Sequence, residues 1–194
     1  MLVLAEAEDI EPVVVINKVD LKGAEDEVEI LHDIYRSVGY DVIRTSTVTK
    51  EGIDQLSLLI EKGITAFAGQ SGVGKSSLIN CLDPQMSLKT SEVSAKRGTG
   101  RHTTVRARLL PFSNGGLLAD TPGFSDAGVK GLLSQDVLAS LFPEFLAHLS
   151  GCQFRRCSHL HEPDCSVKEA LSRGAICPSR FESYQMLYEE LQES

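Results

Sequence analysis

The fold of this chain is decided by residues 69–76, Gly69-Gln70-Ser71-Gly72-Val73-Gly74-Lys75-Ser76. This stretch matches the pattern GxxxxGK[ST], with an apolar run that predicts a strand before it and a segment that predicts a helix after it. Glycines let backbone N–H groups turn inward around phosphates, and the start of a helix adds unpaired donors. The stretch therefore predicts a phosphate-binding loop rather than a glycine-rich turn without a ligand.

Two side chains of this loop suit the chemistry of a bound nucleoside triphosphate. Lys75 would place a positive charge between the β- and γ-phosphates, where it assists catalysis, and the Ser76 hydroxyl would bind Mg²⁺. We predict nucleotide contacts in this segment from Gly69, Ser71, Gly72, Val73, Gly74, Lys75, Ser76 and Ser77.

A second motif is Asp120-Thr121-Pro122-Gly123, which follows the predicted strand 117–119. An aspartate at the end of a buried strand can hold Mg²⁺, so Asp120 is a second predicted magnesium ligand. The Gly123 backbone N–H can approach the γ-phosphate. Alone, this motif is an ordinary turn, but after a phosphate loop it indicates a nucleoside triphosphatase.

The residue that would activate water is not the usual one. In many GTPases a glutamine that orients the attacking water follows this glycine, whereas Phe124 follows it here. We predict this role for His102, with a solvated loop histidine as the alternative. Thr103 or Thr104 would offer a second hydroxyl to Mg²⁺, and the sequence does not choose between them.

A third motif, NKVD at 17–20, follows a β-branched run typical of a strand buried on both faces. The Asp20 carboxylate can accept hydrogen bonds from N1–H and the 2-amino group of guanine, and adenine would leave it unpaired. Asn17 would bond the base edge or the neighbouring loop, and the Lys18 stem would lie over the purine. The stretch Thr45-Ser46-Thr47, after the next strand, is placed to supply a backbone donor to the guanine carbonyl, and Ser46 is the predicted contact.

The order of these motifs is unusual. Most GTPases run phosphate loop, DxxG and then NKxD, but here the guanine motif comes first. We therefore predict an α/β fold, a circularly permuted P-loop GTPase domain with a mostly parallel sheet and helices on both faces, over 1–133. A small helical zinc-binding domain would follow over 134–194. The predicted strands are 13–16, 40–45, 64–68, 105–112 and 117–119. The predicted helices include 28–38, 53–61 and 181–191. A further helix is predicted to begin at a capping box formed by Ser166 and Glu169.

A cluster of cysteines and histidines lies in the C-terminal segment. Cys152, Cys157, His159 and Cys165 offer three thiolates and one imidazole, a common ligand set for structural zinc. His161 is a rival for the imidazole position, and the one-residue step from Cys157 favours His159. The spacing therefore predicts a compact zinc knuckle.

Charge and composition restrict the class of protein. The net charge of −8 argues weakly against general nucleic-acid binding, although basic residues cluster locally. No apolar run approaches the ~20 residues of a membrane helix, and no signal peptide is recognisable, so we expect no membrane partner. Cysteines without a secretory signal indicate a reducing compartment. The basic clusters are Lys96, Arg97, Arg101, His102, Arg106 and Arg108, and further along Arg155 and Arg156.

The chain resembles the RsgA family (YjeQ/YloQ type) of circularly permuted ribosome-assembly GTPases. The resemblance rests on NKVD at 17–20, GQSGVGKSS at 69–77, GRHTT at 100–104, DTPGF at 120–124 and CQFRRCSHLHEPDC at 152–165. It implies GTP hydrolysis with Mg²⁺, a zinc ion on Cys152, Cys157, His159 and Cys165, and catalysis by His102 beside the switch threonines.

The resemblance also implies partners and a place of action. We expect GTP or GDP, the small ribosomal subunit and its rRNA, action late in subunit maturation, and a monomer. The compartment would be a bacterial cytoplasm, or alternatively an organelle stroma or matrix. We expect the sequence to lack the family's N-terminal OB-fold and part of the first GTPase strand. The alternative function is a nucleotide-gated zinc and rRNA adaptor with little hydrolysis, because Phe124 replaces the usual glutamine.

Overall fold

The computed structural model of the chain describes residues 1–86, 108–120, 129 and 131–192, with the backbone alone at Arg108 and Asp120. The chain forms two compact units. Apart from Met1, the first comprises 13–36 and 41–127, and the second comprises 2–12, 37–40 and 128–194. The predicted division at residue 133 stays a prediction. Within the described ranges, no helix has both the length and the apolar content needed to cross a bilayer.

The first unit contains a pair of parallel strands that carries the guanine motif. Strands β1 (Val13–Asn17) and β2 (Asp41–Thr45) lie side by side, with Asn17 opposite Thr45. Helix α2 (Glu25–Val38) makes the crossover that a parallel pair requires. The carboxyl ends of β1 and β2 are therefore neighbours, and the loops that follow them meet.

A second group of strands carries the phosphate loop. Strands β3 (Ile64–Thr65), β4 (Arg108–Pro111) and β5 (Leu117–Asp120) pair in the order β3-β5-β4. Strand β3 is parallel to β5, and β4 is antiparallel to it. Helix α3 (Ile53–Ile60) precedes β3, and helix α4 (Lys75–Leu82) follows the phosphate loop.

Helix α4 is held by two apolar clusters of the first unit. Leu78 packs with Ile43 of β2 and with α3, and Ile79 packs in a second cluster with Leu118 of β5. Phe67, between β3 and the loop, contacts both clusters. Burying each such side chain stabilises the fold by about 1.5–3 kcal/mol. The helix that begins at the phosphate loop therefore has a fixed position within this unit.

The second unit is helical and has its own core. Phe142, Phe145 and Tyr184 are fully or almost fully buried, and their ring centroids lie 5.0–5.4 Å apart. Val3 and Leu4 of the N-terminal helix belong to the same core. The elements of this unit are α1 (Leu2–Ala7), α5 (Gln135–Leu138), a 3-10 turn (Ala139–Leu141), α6 (Pro143–Leu149), α7 (Ser166–Ser172) and α8 (Pro178–Gln192).

A buried ion pair joins α6 and α8. The Arg180 Nε donates to Glu144 Oε1 at 2.6 Å, a second guanidinium nitrogen lies 3.3 Å from Oε2, and both side chains are 7% exposed. The guanidinium carbon lies 4.9 Å from the ring centroid of Phe142 and 6.0 Å from that of Tyr40. Two hydrogen bonds and two aromatic faces offset the cost of burying these charges.

Three local predictions were wrong. Strand β3 ends at Thr65 rather than Ala68, because only Ile64 and Thr65 pair with β5. Helix α7 has Cys165 as its N-cap in an extended conformation, so Ser166 is its first residue and makes no capping bond. Strand β1 is half-buried along its whole length, since β2 is its one neighbour in the described sheets.

Candidate functional site

The guanine motif begins at the joined ends of β1 and β2. The buried Thr45 donates through Oγ1 to Asn17 Oδ1 at 3.1 Å, and the Val19 N–H donates to the Thr45 carbonyl at 3.2 Å. These bonds tie the loop after β1 to the end of β2. The sequence indicated Thr45 only as part of the Thr45-Ser46-Thr47 stretch that would supply a backbone donor, and it did not indicate this side-chain bond to Asn17.

Asp20, the predicted reader of the base, is held by Ser46. The Ser46 Oγ donates to Asp20 Oδ1 at 2.6 Å, and it accepts the N–H groups of Val48 and Thr49 at 3.1 and 3.0 Å. Ser46 is fully buried, whereas Asp20 is exposed. Among the described residues Asp20 Oδ2 accepts no hydrogen bond, so the carboxylate is oriented and still open to a ligand. The sequence indicated only a backbone role for Ser46.

The guanine motif is bonded to the phosphate loop. Asn17 Nδ2 donates to the Val73 carbonyl at 2.8 Å, and Lys18 Nζ donates to the Gly72 carbonyl at 2.7 Å. Of the two roles left open for Asn17, the structure therefore shows the bond to the neighbouring loop. Segments more than fifty residues apart in sequence form one site within the first unit.

The phosphate loop requires glycine where it meets the guanine motif. Gly74 has φ 100°, a conformation that L-residues avoid, and a Cβ built there would lie 2.3 Å from Asn17 Nδ2. Lys75 opens α4, and its Nζ donates to the carbonyls of Gly69 and Gln70. Ser76 is buried and lies in the first turn of α4. The backbone N–H groups of a first turn have no partner within the helix.

The predicted magnesium ligand of the second motif lies at the same sheet edge as the phosphate loop. Strands β3 and β5 are parallel, the phosphate loop follows β3, and Asp120 is the last residue of β5. The carboxyl ends of parallel strands meet at one edge. The predicted residues His102, Thr103, Thr104 and Gly123 lie outside the described residues, as does the basic cluster from Lys96 to Arg106.

The cysteine and histidine cluster brings together four side chains of the second unit that could hold a metal ion. One ligand atom from each of Cys152, Cys157, His159 and Cys165 lies within 4.8 Å of all the others. Cys152 Sγ lies 3.8 Å from Cys165 Sγ, and His159 Nδ1 lies 3.5 and 3.4 Å from these two sulfurs. The rival His161 is outside the group.

These distances match a tetrahedral site. Zinc bonds of about 2.3 Å to sulfur and about 2.0–2.1 Å to nitrogen, at tetrahedral angles, separate two sulfurs by about 3.8 Å and sulfur from nitrogen by about 3.6 Å. Burial raises the pKa of the Cys157 thiol to about 12, so a thiolate there needs a bound cation. Burial also lowers the pKa of His159, which favours the neutral imidazole that a metal binds.

A network of hydrogen bonds shapes the knuckle around this cluster. Burial raises the pKa of Glu162, but hydrogen bonds outweigh it and lower this pKa to about 2. The carboxylate accepts the Ser158 N–H at 2.7 Å and the Ser158 Oγ at 2.8 Å. The Tyr184 hydroxyl donates to the Ser158 carbonyl at 2.8 Å. Such second-layer bonds orient the ligands of metal sites.

Fold and site together define a circularly permuted P-loop GTPase fold, in which the guanine motif precedes the phosphate loop and a Cys/His cluster follows. A model of the RsgA GTPase family matches residues 1–130. The chain belongs to the RsgA GTPase family. The predicted fold class and family resemblance are thereby confirmed.

Individual relatives agree with this family. The chain is 47% identical to the small ribosomal subunit biogenesis GTPase RsgA of Geobacillus kaustophilus and 46% identical to that of Caldanaerobacter subterraneus subsp. tengcongensis, over 99% and 100% of its length. It covers 66% and 64% of those proteins, less than two thirds of each.

Two solved structures share the architecture. YjeQ from Thermotoga maritima has a TM-score of 0.80 at 38% identity, over 100% of this chain and 64% of that one. YloQ, described as a circularly permuted GTPase, has a TM-score of 0.73 at 34% identity, over 99% of this chain and 61% of that one.

Proposed function

We propose that this chain binds and hydrolyses GTP and acts in late maturation of the small ribosomal subunit. The observation that carries the proposal is the bond from Asn17 Nδ2 to the Val73 carbonyl, at 2.8 Å, because it joins the guanine motif to the phosphate loop. The names of the relatives as small ribosomal subunit biogenesis GTPases supply the biological context.

In this proposal each motif has a defined task. Asp20, oriented by Ser46, accepts the guanine N1–H and amino hydrogens, and Lys75 leaves the loop carbonyls to contact the β- and γ-phosphates. The Ser76 hydroxyl and the Asp120 carboxylate would hold Mg²⁺, which neutralises charge on the phosphates when bound. Gly123 would donate its N–H to the γ-phosphate.

We assign activation of the attacking water to His102. Phenylalanine cannot orient water, so Phe124 cannot fill the role of the usual glutamine. A histidine beside two threonines that can bind Mg²⁺, Thr103 and Thr104, would lie close to the γ-phosphate when this segment contacts the nucleotide. A positioned general base contributes about 10²–10⁴-fold to a rate.

We also propose that the Cys/His cluster holds a structural zinc ion. Three thiolates and one imidazole saturate the tetrahedral coordination of zinc, and the interatomic distances fit that geometry. We further propose that the protein is a monomer and that its partners are the small ribosomal subunit and its rRNA. We place it in a bacterial cytoplasm. Bacterial relatives favour that compartment over an organelle stroma or matrix.

A second candidate function is a nucleotide-gated zinc and rRNA adaptor with little hydrolysis. Phe124 is the observation that favours it, since the common water-orienting residue is replaced. Both functions share the nucleotide site and the metal cluster. Turnover, and not nucleotide binding, distinguishes them.

The test is GTP hydrolysis by this chain, with and without purified small ribosomal subunits at fixed salt. We expect slow turnover that the subunits accelerate, and we expect His102→Ala to slow it by about a hundredfold while GDP affinity stays nearly unchanged. Undiminished turnover in His102→Ala would reject the role of His102. Nucleotide binding without turnover, even with subunits, would favour the adaptor.

A further inference from the structure

The second unit contains a cavity of about 350 Å³ whose wall includes two of the proposed metal ligands, Cys157 and His159. Its wall combines a loop between two metal ligands, residues 153–156, with side chains of α5 and α8. This volume lies at the lower end of the range of small-ligand sites. The lining includes Gln135, Asp136, Phe154, Arg155, Arg156 and Tyr188.

The loop presents two unpaired positive charges at this cavity. Arg155 and Arg156 are exposed, and within the described part of the chain neither guanidinium makes an ion pair or a hydrogen bond. Only four residues separate Cys152 from Cys157, so a metal bound to both would restrict the loop. Planar guanidinium groups held in this way suit the oxygens of a phosphate.

Aromatic rings line the same cavity. Phe154 is 45% exposed, an unusual position for a large apolar ring on a short loop. Tyr188 is half-buried, and its ring centroid lies 5.9 Å from that of Tyr184, whose hydroxyl is bonded to the Ser158 carbonyl. The Phe154 ring is thus accessible, and the Tyr188 ring is packed against Tyr184. Nucleobases of any identity can stack on such rings, because every base has a π-face.

Polar groups on α5 favour a base over a free anion. Asp136 is exposed in the wall, and its carboxylate would repel a phosphate but accept a hydrogen bond from an amino group of a base. Gln135 donates to the Tyr188 carbonyl at 3.2 Å, and among the described residues its amide oxygen accepts no hydrogen bond. A ligand with a phosphate and a flat, hydrogen-bonding base satisfies all of these groups.

We propose that this cavity binds one unstacked nucleotide of a single-stranded RNA, with its base against Phe154 and Tyr188 and its phosphates against Arg155 and Arg156. The inference rests on the proposed function, because that function brings the chain to rRNA. It adds a location on the protein and a mode of recognition. Single-stranded RNA is commonly read by splaying out bases and stacking them on aromatic or arginine side chains.

The test is fluorescence anisotropy of a short labelled single-stranded RNA, titrated with the zinc-loaded chain. The double variant Arg155→Ala/Arg156→Ala should weaken binding by about tenfold. The slope of log K against log salt concentration should become shallower by about 1.4, which is about 0.7 for each lost phosphate contact. Phe154→Leu should weaken binding by at least about fivefold, because it keeps an apolar side chain but removes the stacking ring. Arg173→Ala, an exposed arginine outside the cavity that pairs with Glu169, is the matched control and should bind as the original chain does.

Metal content and thermal unfolding of each variant identify any that fails to fold. The inference would be overturned if the folded double variant and Phe154→Leu bound RNA as tightly as the control Arg173→Ala does. It would also be overturned if the original chain did not bind RNA. Basal GTP turnover, measured on the same samples, tests the proposed function separately. It should be unchanged in these variants, and its absence in the original chain would count against GTP hydrolysis and not against the RNA site.

Discussion

A few hydrogen bonds decide how the guanine motif meets the phosphate loop. Asn17 accepts from Thr45 at 3.1 Å and donates to the Val73 carbonyl at 2.8 Å, so one amide connects the end of β2 with the phosphate loop. A carboxylate in its place could not donate to Val73. The amide is therefore required by this geometry, independently of any contact with the base.

Gly74 gives a prediction about the same contact. Gly74→Ala should weaken GDP binding by about tenfold, because the new Cβ would meet Asn17 Nδ2 and break the Asn17–Val73 bond, which contributes about 0.5–1.5 kcal/mol. Gly23→Ala is the matched control, since Gly23 also has positive φ (83°) but open space at its Cβ position. Nucleotide affinity measured by calorimetry should fall only for Gly74→Ala. Equal losses would show that strain, and not the clash with Asn17, is responsible.

The residues of the nucleotide site were predictable to different degrees. Asp20, Lys75 and Ser76 could be proposed from the sequence because nucleotide chemistry sets the residue types and the spacing that such a site needs. The Ser46 hydroxyl and Thr45 could not, since serine and threonine are common after strands. Their roles depend on the register that places Asn17 opposite Thr45, which is a property of the folded sheet.

Among the elements, α4 is tied to the β4–β5 hairpin by one carboxylate. Asp83, just after α4, is buried and accepts the Ser113 N–H at 2.7 Å, the Ser113 Oγ at 2.8 Å and the Gln85 N–H at 3.0 Å. The hydrogen bonds from Ser113 lower its pKa. Because α4 begins at the phosphate loop and β5 ends at Asp120, Asp83 supports the relative position of the two phosphate-binding motifs.

Asp83→Ala should lower the free energy of unfolding by about 1–3 kcal/mol, because it leaves buried N–H groups unpaired. Ser113→Ala, which removes only the hydroxyl bond, should cost less. Folding lowers the pKa of Asp83, so the ionised carboxylate stabilises the folded state. This contribution to the free energy of unfolding is present above about pH 4 and is lost as pH falls through the folded-state pKa. Urea unfolding of the three proteins at neutral and acidic pH measures this. A difference between Asp83→Ala and the original chain that persists unchanged at low pH would contradict the account.

Element boundaries show where local patterns stop being informative. Strand β3 has the apolar composition of a longer strand, but pairing with β5 ends at Thr65, and the chain then turns toward the phosphate loop. Helix α1 had no predicted counterpart, since its apolar residues are few and its core partners lie more than 120 residues away. Both outcomes depend on tertiary contacts.

At the scale of the whole molecule, the two compact units differ in what stabilises them. The first has apolar clusters around β2, α3, α4 and β5. The second has an aromatic core, and its residues 150–165 form no helix or strand around the four proposed metal ligands. Sequence patterns indicated the four proposed metal ligands but did not indicate that residues 2–12 and 37–40 belong to this unit.

Metal removal should therefore affect the second unit strongly. The chain should carry about one zinc ion, and a strong chelator should lower the melting temperature of this unit, because structural zinc contributes directly to folding. Cys165→Ser should lose the metal, whereas Cys177→Ser, outside the cluster, should retain it. Mass spectrometry under native conditions and thermal unfolding provide the readouts. Full metal content in Cys165→Ser would contradict the assignment of the ligands.

In the proposed function, a guanine motif placed first in the chain reads the base of a nucleotide held by the phosphate loop. The most direct measurement compares the affinities of Asp20→Asn and the original chain for guanosine and xanthosine diphosphates. Xanthine carries a carbonyl where guanine carries its amino group, so the amide should switch the preference from guanosine to xanthosine. Ser46→Ala, which releases the Asp20 carboxylate and removes the acceptor of the Val48 and Thr49 N–H groups, should weaken guanosine binding without that switch. An unchanged preference in Asp20→Asn would contradict the claim.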